Sequence, residues 1–167
     1  MICKDARGNE FIEMISIDEK TVMKRFSPVT HCLAVIIVDD DYLLGFNHWR
    51  KTWEIFGGCI EKGESPRQCI IRECYEELGI REREIDYIGV MHFNLIPDYF
   101  STEYRKEYGC LYRIILQRED LSQIEKLRSD IEEIEKIALL HNIPKDEHIS
   151  EIDYALLNFG RGLTLTN

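Results

Sequence analysis

The stretch from Gly58 to Ile80 constrains this chain more than any other. Its second half reads as a helix with both ends specified. Ser65 can cap the N-terminus, Pro66 suits the first helical position, and Gln68 can close a capping box. Gly79 suits a left-handed C-terminal cap. The helix is therefore expected over Pro66 to Leu78. Within it Ile71, Cys74, Tyr75 and Leu78 recur at i, i+3, i+4 and i+7, which predicts one apolar stripe against a core. Glu73, Glu76 and Glu77 then cluster on the opposite face. Like charges three and four residues apart repel weakly, and Arg72, four residues before Glu76, offsets part of that. On the helix alone, a solvated acidic face accounts for the pattern. The loop before it favours a second reading, a carboxylate cluster for a hard divalent cation such as Mg²⁺, which takes oxygen ligands and keeps several waters. Gly57 and Gly58 let the backbone approach a ligand closely, Gly63 permits a tight bend, and Glu64 adds a fourth carboxylate.

The rest of the chain supplies a sheet. Phe11 to Ile17 alternates apolar and polar residues, as a half-buried strand does. Thr30 to Val38 is more continuously apolar and β-branched, so it reads as a central strand. Asp39-Asp40-Asp41 reads as a solvated turn tip rather than a metal site, and Tyr42 to His48 as the returning hairpin partner. Trp53 to Phe56 is a short strand stopped by Gly57-Gly58. Ile85 to Ile96 and Gly109 to Gln117 are further strands, with a long polar and aromatic loop, Pro97 to Tyr108, between them. Glu132 to Leu140 has helical composition but fits neither period. In Ile149 to Phe159, the positions Ile152, Ala155, Leu156 and Phe159 have helical spacing. The tail from Gly160 is expected to fray. No repeat or flexible linker divides the chain, so residues 1–167 form one domain, with 1–29 as an N-terminal strand or extension and 160–167 as a tail.

Composition narrows the function. With 21 Lys+Arg against 31 Asp+Glu, the formal net charge is −10. That argues against a polymeric nucleic-acid partner, which needs a basic footprint. A small anionic substrate remains open if a bound cation mediates the contact. The longest apolar run, Cys32 to Val38, is far short of a membrane span, and no apolar leader follows Met1. The six cysteines form no C-x-x-C pair and read as small buried hydrophobes in a reducing cytoplasm. The five histidines show no metal-ligand spacing and read as satisfied or exposed.

Taken together, Gly58, Glu64, Arg72, Glu73, Glu76, Glu77 and Gly79 stand at every fixed polar or glycine position of the Nudix box, G-x5-E-x7-R-E-U-x-E-E-x-G-U, where U is a bulky apolar residue. The segment resembles that of the MutT-like Nudix hydrolases, and the strand order extends the resemblance from about Thr30 to Phe159. Cys74 fills a position where an aliphatic residue is usual, and Phe56 stands where many relatives have Pro. The resemblance implies an α/β fold, an α/β/α sandwich with a mixed central sheet and a loop–helix–loop box. It implies metal-dependent hydrolysis of a diphosphate bond in a nucleoside diphosphate linked to another moiety, of nucleoside triphosphate, ADP-ribose or nucleotide-sugar type. A catalytically silent nucleotide-binding or regulatory module is the alternative. By residue, it implies Gly58, Glu73, Glu76 and Glu77 as ligands of Mg²⁺ or Mn²⁺. Glu76 or Glu73 would serve as base, with Arg72 and Glu64 orienting the carboxylates. Some relatives draw the base from a later loop, so Glu103, Glu107, Glu132 and Glu133 are candidates beside a plain solvated role. A small nucleotide is the implied partner, and a homodimer stays open.

Substrate selection is less legible. Arg50 reads either as a phosphate partner or as a structural arginine. Trp53 heads a set of possible base-stacking faces with Trp49, Phe93, Tyr99, Phe100, Tyr104 and Tyr108, each of which suits core or loop packing better. Pro97 and Tyr99 both lie near the position that separates subfamilies, so that cue leaves the choice open.

Overall fold

The most continuously apolar run in the chain becomes the centre of the sheet. The computed structural model describes residues 1–81, 83–99 and 101–161. Strands β1 (Cys3–Lys4) and β2 (Glu10–Ile15) open the chain and lead to a short helix, α1 (Val22–Arg25). Then come β3 (Val29–Val38), β4 (Asp41–Asn47), β5 (Thr52–Glu54), β6 (Phe56–Cys59) and α2 (Pro66–Leu78). β7 (Asp86–Leu95), β8 (Arg105–Leu116), α3 (Asp120–Leu127), β9 (Ile134–Leu139) and α4 (Glu151–Arg161) follow. The strand order is β1-β2-β7-β8-β3-β4-β5, with β6 paired to β3 and β9 to β4. β3 runs parallel to β8 and antiparallel to β4 and β6, so the sheet is mixed.

The period of the strands sorts β3 between two cores. Cys32, Ala34 and Ile36 pack with Cys69, Ile70, Cys74 and Leu78 of α2, with Ile124 of α3 in the same cluster. Val35 and Ile37 face the other way, toward Ile152, Leu156 and Leu157 of α4. Helices therefore cover both faces, and the molecule is an α/β/α sandwich.

α2 has the expected ends. Ser65 Oγ accepts from Gln68 N at 3.1 Å, the Gln68 side chain accepts from Ser65 N at 2.9 Å, and Gly79 closes the helix at φ 66°. Its buried face is turned from the expected stripe. Ile71 and Tyr75 are exposed, whereas Ile70, Cys74, Leu78 and Glu77 are buried. A carboxylate takes a core position here because it has a buried backbone donor to satisfy, as shown below. Gly57 and Gly58 do not stop a strand but lie inside β6. A Cβ on Gly57 would stand 2.0 Å from the Cys32 carbonyl oxygen, so β6 approaches β3 more closely than a side chain permits.

Three further differences concern element type. β8 begins at Arg105, so the end of the expected loop is strand. Most of the undecided segment Glu132 to Leu140 is strand, β9, and Leu140 opens a short 3-10 turn. Residues 134–139 pair with β4, whose strand supplies the backbone partners that the local pattern does not reveal. α1 and α3 are too short to carry a periodic signal. Gly160 and Arg161 are helical rather than frayed, and the remainder of the expected tail, 162–167, lies outside the described residues, as does Phe100. All six cysteines are free thiols, and no described helix is long and apolar enough to cross a membrane.

Candidate active site

The β6–α2 junction is built by two glycines and two glutamates. At Gly58 a Cβ would stand 2.3 Å from Glu73 Oε1, so the missing side chain is the space the Glu73 carboxylate occupies. Glu77 is 2% exposed, and its Oε2 accepts from Gly57 N at 2.9 Å. Arg72 braces the loop against the helix. It donates to Glu64 through Nε at 2.9 Å and Nη2 at 3.0 Å. It also reaches Glu73 at 2.8 Å, the Cys59 carbonyl at 3.0 Å and Glu76 at 3.5 Å. The Arg72 guanidinium holds the Glu64 carboxyl at a pKa of about 2, and Glu64 in turn raises that of Arg72.

A cavity of 420 Å³ opens beside this junction. Gly57, Gly58, Glu73 and Glu77 line it from the box, and Arg50, Glu54, Glu133 and Asp153 from elsewhere. Four of its acids resist ionisation. Burial raises the pKa of Glu73 and pushes that of Glu77 well above the carboxylate range. Burial and then Asp130 raise Glu133, and burial and then Glu54 raise Asp153 to about 7. Such an all-oxygen donor set fits a hard divalent cation, whose charge would reverse both the desolvation cost and the mutual repulsion. Among the described residues, no three carboxylate, imidazole or thiol side chains are gathered closely enough to enclose an ion by themselves. The carboxylates line a wall, and the Gly58 carbonyl, water and substrate oxygens are the complementary donors that Mg²⁺ sites use.

The other residues singled out by sequence fall in several places. The Glu76 side chain is 45% exposed and outside the cavity lining. Its backbone carbonyl instead accepts from Ser129 N and Oγ and from Asp130 N, pinning the loop that carries Glu133. Arg50 lines the cavity and is bound to Glu54 through Nε and Nη2 at 2.8–3.2 Å. Buried Asn47 fixes that turn by accepting from Trp49 N and Arg50 N. Trp53 is a correction: it is 2% exposed, packs against Phe46 and donates to Glu147 at 2.7 Å, so it offers no face to a ligand. Trp49, Tyr99 and Tyr104 are exposed, whereas Phe93 is buried, and Tyr108 packs on Phe26. Of the four later glutamates only Glu133 lines the cavity. Glu103 and Glu132 are exposed, and Glu107 is held by Arg105 and Thr30. Glu54 and Asp153 also line the cavity, and sequence reading missed both. Asp153 N lies 3.4 Å from Ser150 Oγ and its carboxylate accepts from Ile55 N, so locally it reads as an ordinary first-turn acid.

Comparison with known proteins agrees with this architecture. The sequence model of the NUDIX domain family matches residues 30–155, and the chain belongs to that family. It is 31% identical over 97 residues to an NAD-capped RNA hydrolase NudC of Photobacterium profundum, covering 50% of this chain and 36% of that protein. It is 33% identical over 70 residues to the CTP pyrophosphohydrolase of Escherichia coli, covering 35% of this chain and 52% of that one. The chain thus spans about a third to a half of these curated relatives. Among solved structures, the Bacillus subtilis pyrophosphohydrolase BsRppH superposes with a TM-score of 0.65 at 21% identity, covering 97% of this chain and 94% of the other.

Proposed function

We propose that this chain hydrolyses a diphosphate bond in a nucleoside diphosphate linked to another moiety, with Mg²⁺ or Mn²⁺ held at the box. The observation that carries the reading is the convergence of Gly58, Glu73, Glu77 and Glu133 on one cavity, with Arg72 bracing the box carboxylates from behind. The names of the relatives support it, since a CTP pyrophosphohydrolase and a pyrophosphohydrolase share the family or the fold.

Glu73, Glu76, Glu77 and the Gly58 carbonyl are the groups that would hold the cation. When bound, it neutralises the diphosphate, polarises its phosphoryl oxygens and acidifies a water. Glu76 takes the proton of the attacking water in this reading by turning in from its exposed position, Glu73 standing next to it in the wall, and of the later glutamates Glu133 lines the cavity and competes for that role. Glu64 and Arg72 hold the helix carboxylates in register. Arg50 at the rim pairs with a substrate phosphate. A free nucleotide in the cytoplasm is favoured over a polymer because the net charge of −10 supplies no basic track.

The test is turnover of nucleoside triphosphates, nucleotide sugars, ADP-ribose, dinucleoside polyphosphates and 5′-triphosphate RNA with Mg²⁺ or Mn²⁺, products resolved by chromatography, with Glu77→Gln alongside. Metal-dependent cleavage that collapses in the variant is expected. Thermal stabilisation by nucleotides without any product would replace the hydrolase with a binding module.

A further inference from the structure

The register of β3 on β8 shifts between Val29 and His31. Val29 stands opposite Tyr108 and His31 opposite Gly109, so Thr30 is an extra residue in β3. Bulges of this kind re-aim side chains and recur beside active sites. Here the bulge sets Thr30 between two groups. Its hydroxyl oxygen lies 2.9 Å from a Glu107 oxygen and 2.9 Å from His31 Nδ1, with the Tyr108 carbonyl farther off at 3.5 Å. The other Glu107 oxygen accepts from Arg105 Nε at 3.0 Å. A carboxylate only accepts, and a hydroxyl has one proton. The Thr30 proton therefore goes to Glu107, and its oxygen must receive the proton on His31 Nδ1. That fixes the Nδ1–H tautomer and leaves Nε2 as a bare acceptor. Burial lowers the His31 pKa against the opposing pull of Glu107, which keeps the ring neutral. Phe93 packs on the ring with centroids 5.4 Å apart, and Gly109 makes room for it, since a Cβ there would stand 2.8 Å from Nε2.

His31 stands at a junction. A second cavity, of 360 Å³ and with Phe93, Leu95 and Ile152 in its wall, shares His31, Leu33, Arg50 and Asp153 with the first. The two meet at these residues, and the second adds Asn9 and Ser150 beside its apolar wall. With phosphates at the box and the base in the second cavity, the sugar falls at the junction. We propose that His31 selects ribonucleotides, its Nε2 accepting a hydrogen bond from a ribose hydroxyl, while Thr30 and Glu107 act through it as positioning residues. This rests on the diphosphate reading of the box.

Two measurements test it. Imidazole ¹⁵N spectra of the ligand-free protein should show His31 protonated at Nδ1 and bare at Nε2, and Thr30→Val should populate the other tautomer. Calorimetric affinities for ADP, 2′-deoxy-ADP and 3′-deoxy-ADP with Mg²⁺ should favour ADP over at least one deoxy form by roughly threefold to tenfold, a neutral hydrogen bond's worth. His31→Ala should bring that ratio to unity, and Thr30→Val should reduce it. An Nε2–H tautomer in the wild type, no ribose preference, or a preference retained in His31→Ala would overturn the assignment. Nucleotide binding with an unchanged ratio sinks His31 alone. Absence of binding by any nucleotide sinks the diphosphate reading with it.

Discussion

Two arginines hold carboxylates of the cavity wall, Arg50 from the cavity lining and Arg72 from behind it, and they do so differently. Arg72 is 23% exposed and spends its donors on Glu64, Glu73 and the Cys59 carbonyl, so the box loop and the helix are tied at one point. Arg50 is 45% exposed on the rim. It binds Glu54 through Nε and Nη2 and has Glu133 at 3.8 Å, while its Nη1 has no hydrogen bond among the described residues. In the proposed function the same fork chemistry serves a fixed scaffold at Arg72 and an exchangeable contact at Arg50. A phosphate can share Arg50 with Glu54, but it could take Arg72 only by dismantling the box.

The comparison breaks first at the box itself. Glu77→Gln keeps an acceptor for Gly57 N but removes the carboxyl that a bound cation would hold ionised. We expect kcat to fall by roughly a hundred- to ten-thousand-fold in steady-state assays. A variant within threefold of wild type would place the reacting end elsewhere. Arg72→Lys loses the fork and should cost about 10- to 100-fold in kcat, with a lowered melting temperature, because the carboxylates it orients drift. Arg50→Ala should instead raise KM about tenfold while kcat holds. If the two arginine variants gave the same kinetic signature, scaffold and contact would not be distinct.

The smallest effect concerns pH. Asp153 keeps its proton up to about pH 7 in the folded chain, whereas an unfolded Asp releases it near 4. The folded state therefore binds more protons between those values, and stability falls as pH rises through that window. Asp153→Asn should melt higher than wild type at pH 8, on the order of 1 kcal/mol or a few degrees, and match it near pH 4. Melting curves without metal at both pH values decide this, and an advantage confined to low pH would reverse the sign.

Legibility in the sequence follows the range of the interactions. The ends of α2 depend on contacts three residues apart, so Ser65, Gln68 and Gly79 announce them locally. Which face of α2 is buried depends on Gly57, twenty residues away from Glu77, and a glutamate does not look like core. β9 likewise needs β4 to be seen as a strand. At the site, the box residues were readable as a pattern, but Asp153 and Glu54 join it only when β5 and α4 meet the box, and the Thr30–His31 bulge arises only when β3 pairs with β8. Trp53 looked like a stacking surface because an aromatic residue in a strand beside Arg50 carries no local sign of burial, and the structure closes it off with Phe46 and Glu147.

The central claim is that the β6–α2 wall holds the cation on which hydrolysis depends. The most direct test is Mn²⁺ titration followed by electron paramagnetic resonance, on the wild type and on the Glu73→Gln, Glu77→Gln double variant, with circular dichroism confirming the fold of each. Saturable binding in the wild type that is lost in the folded double variant is the predicted result. Equal binding in the two proteins would contradict the account and move the metal away from this wall.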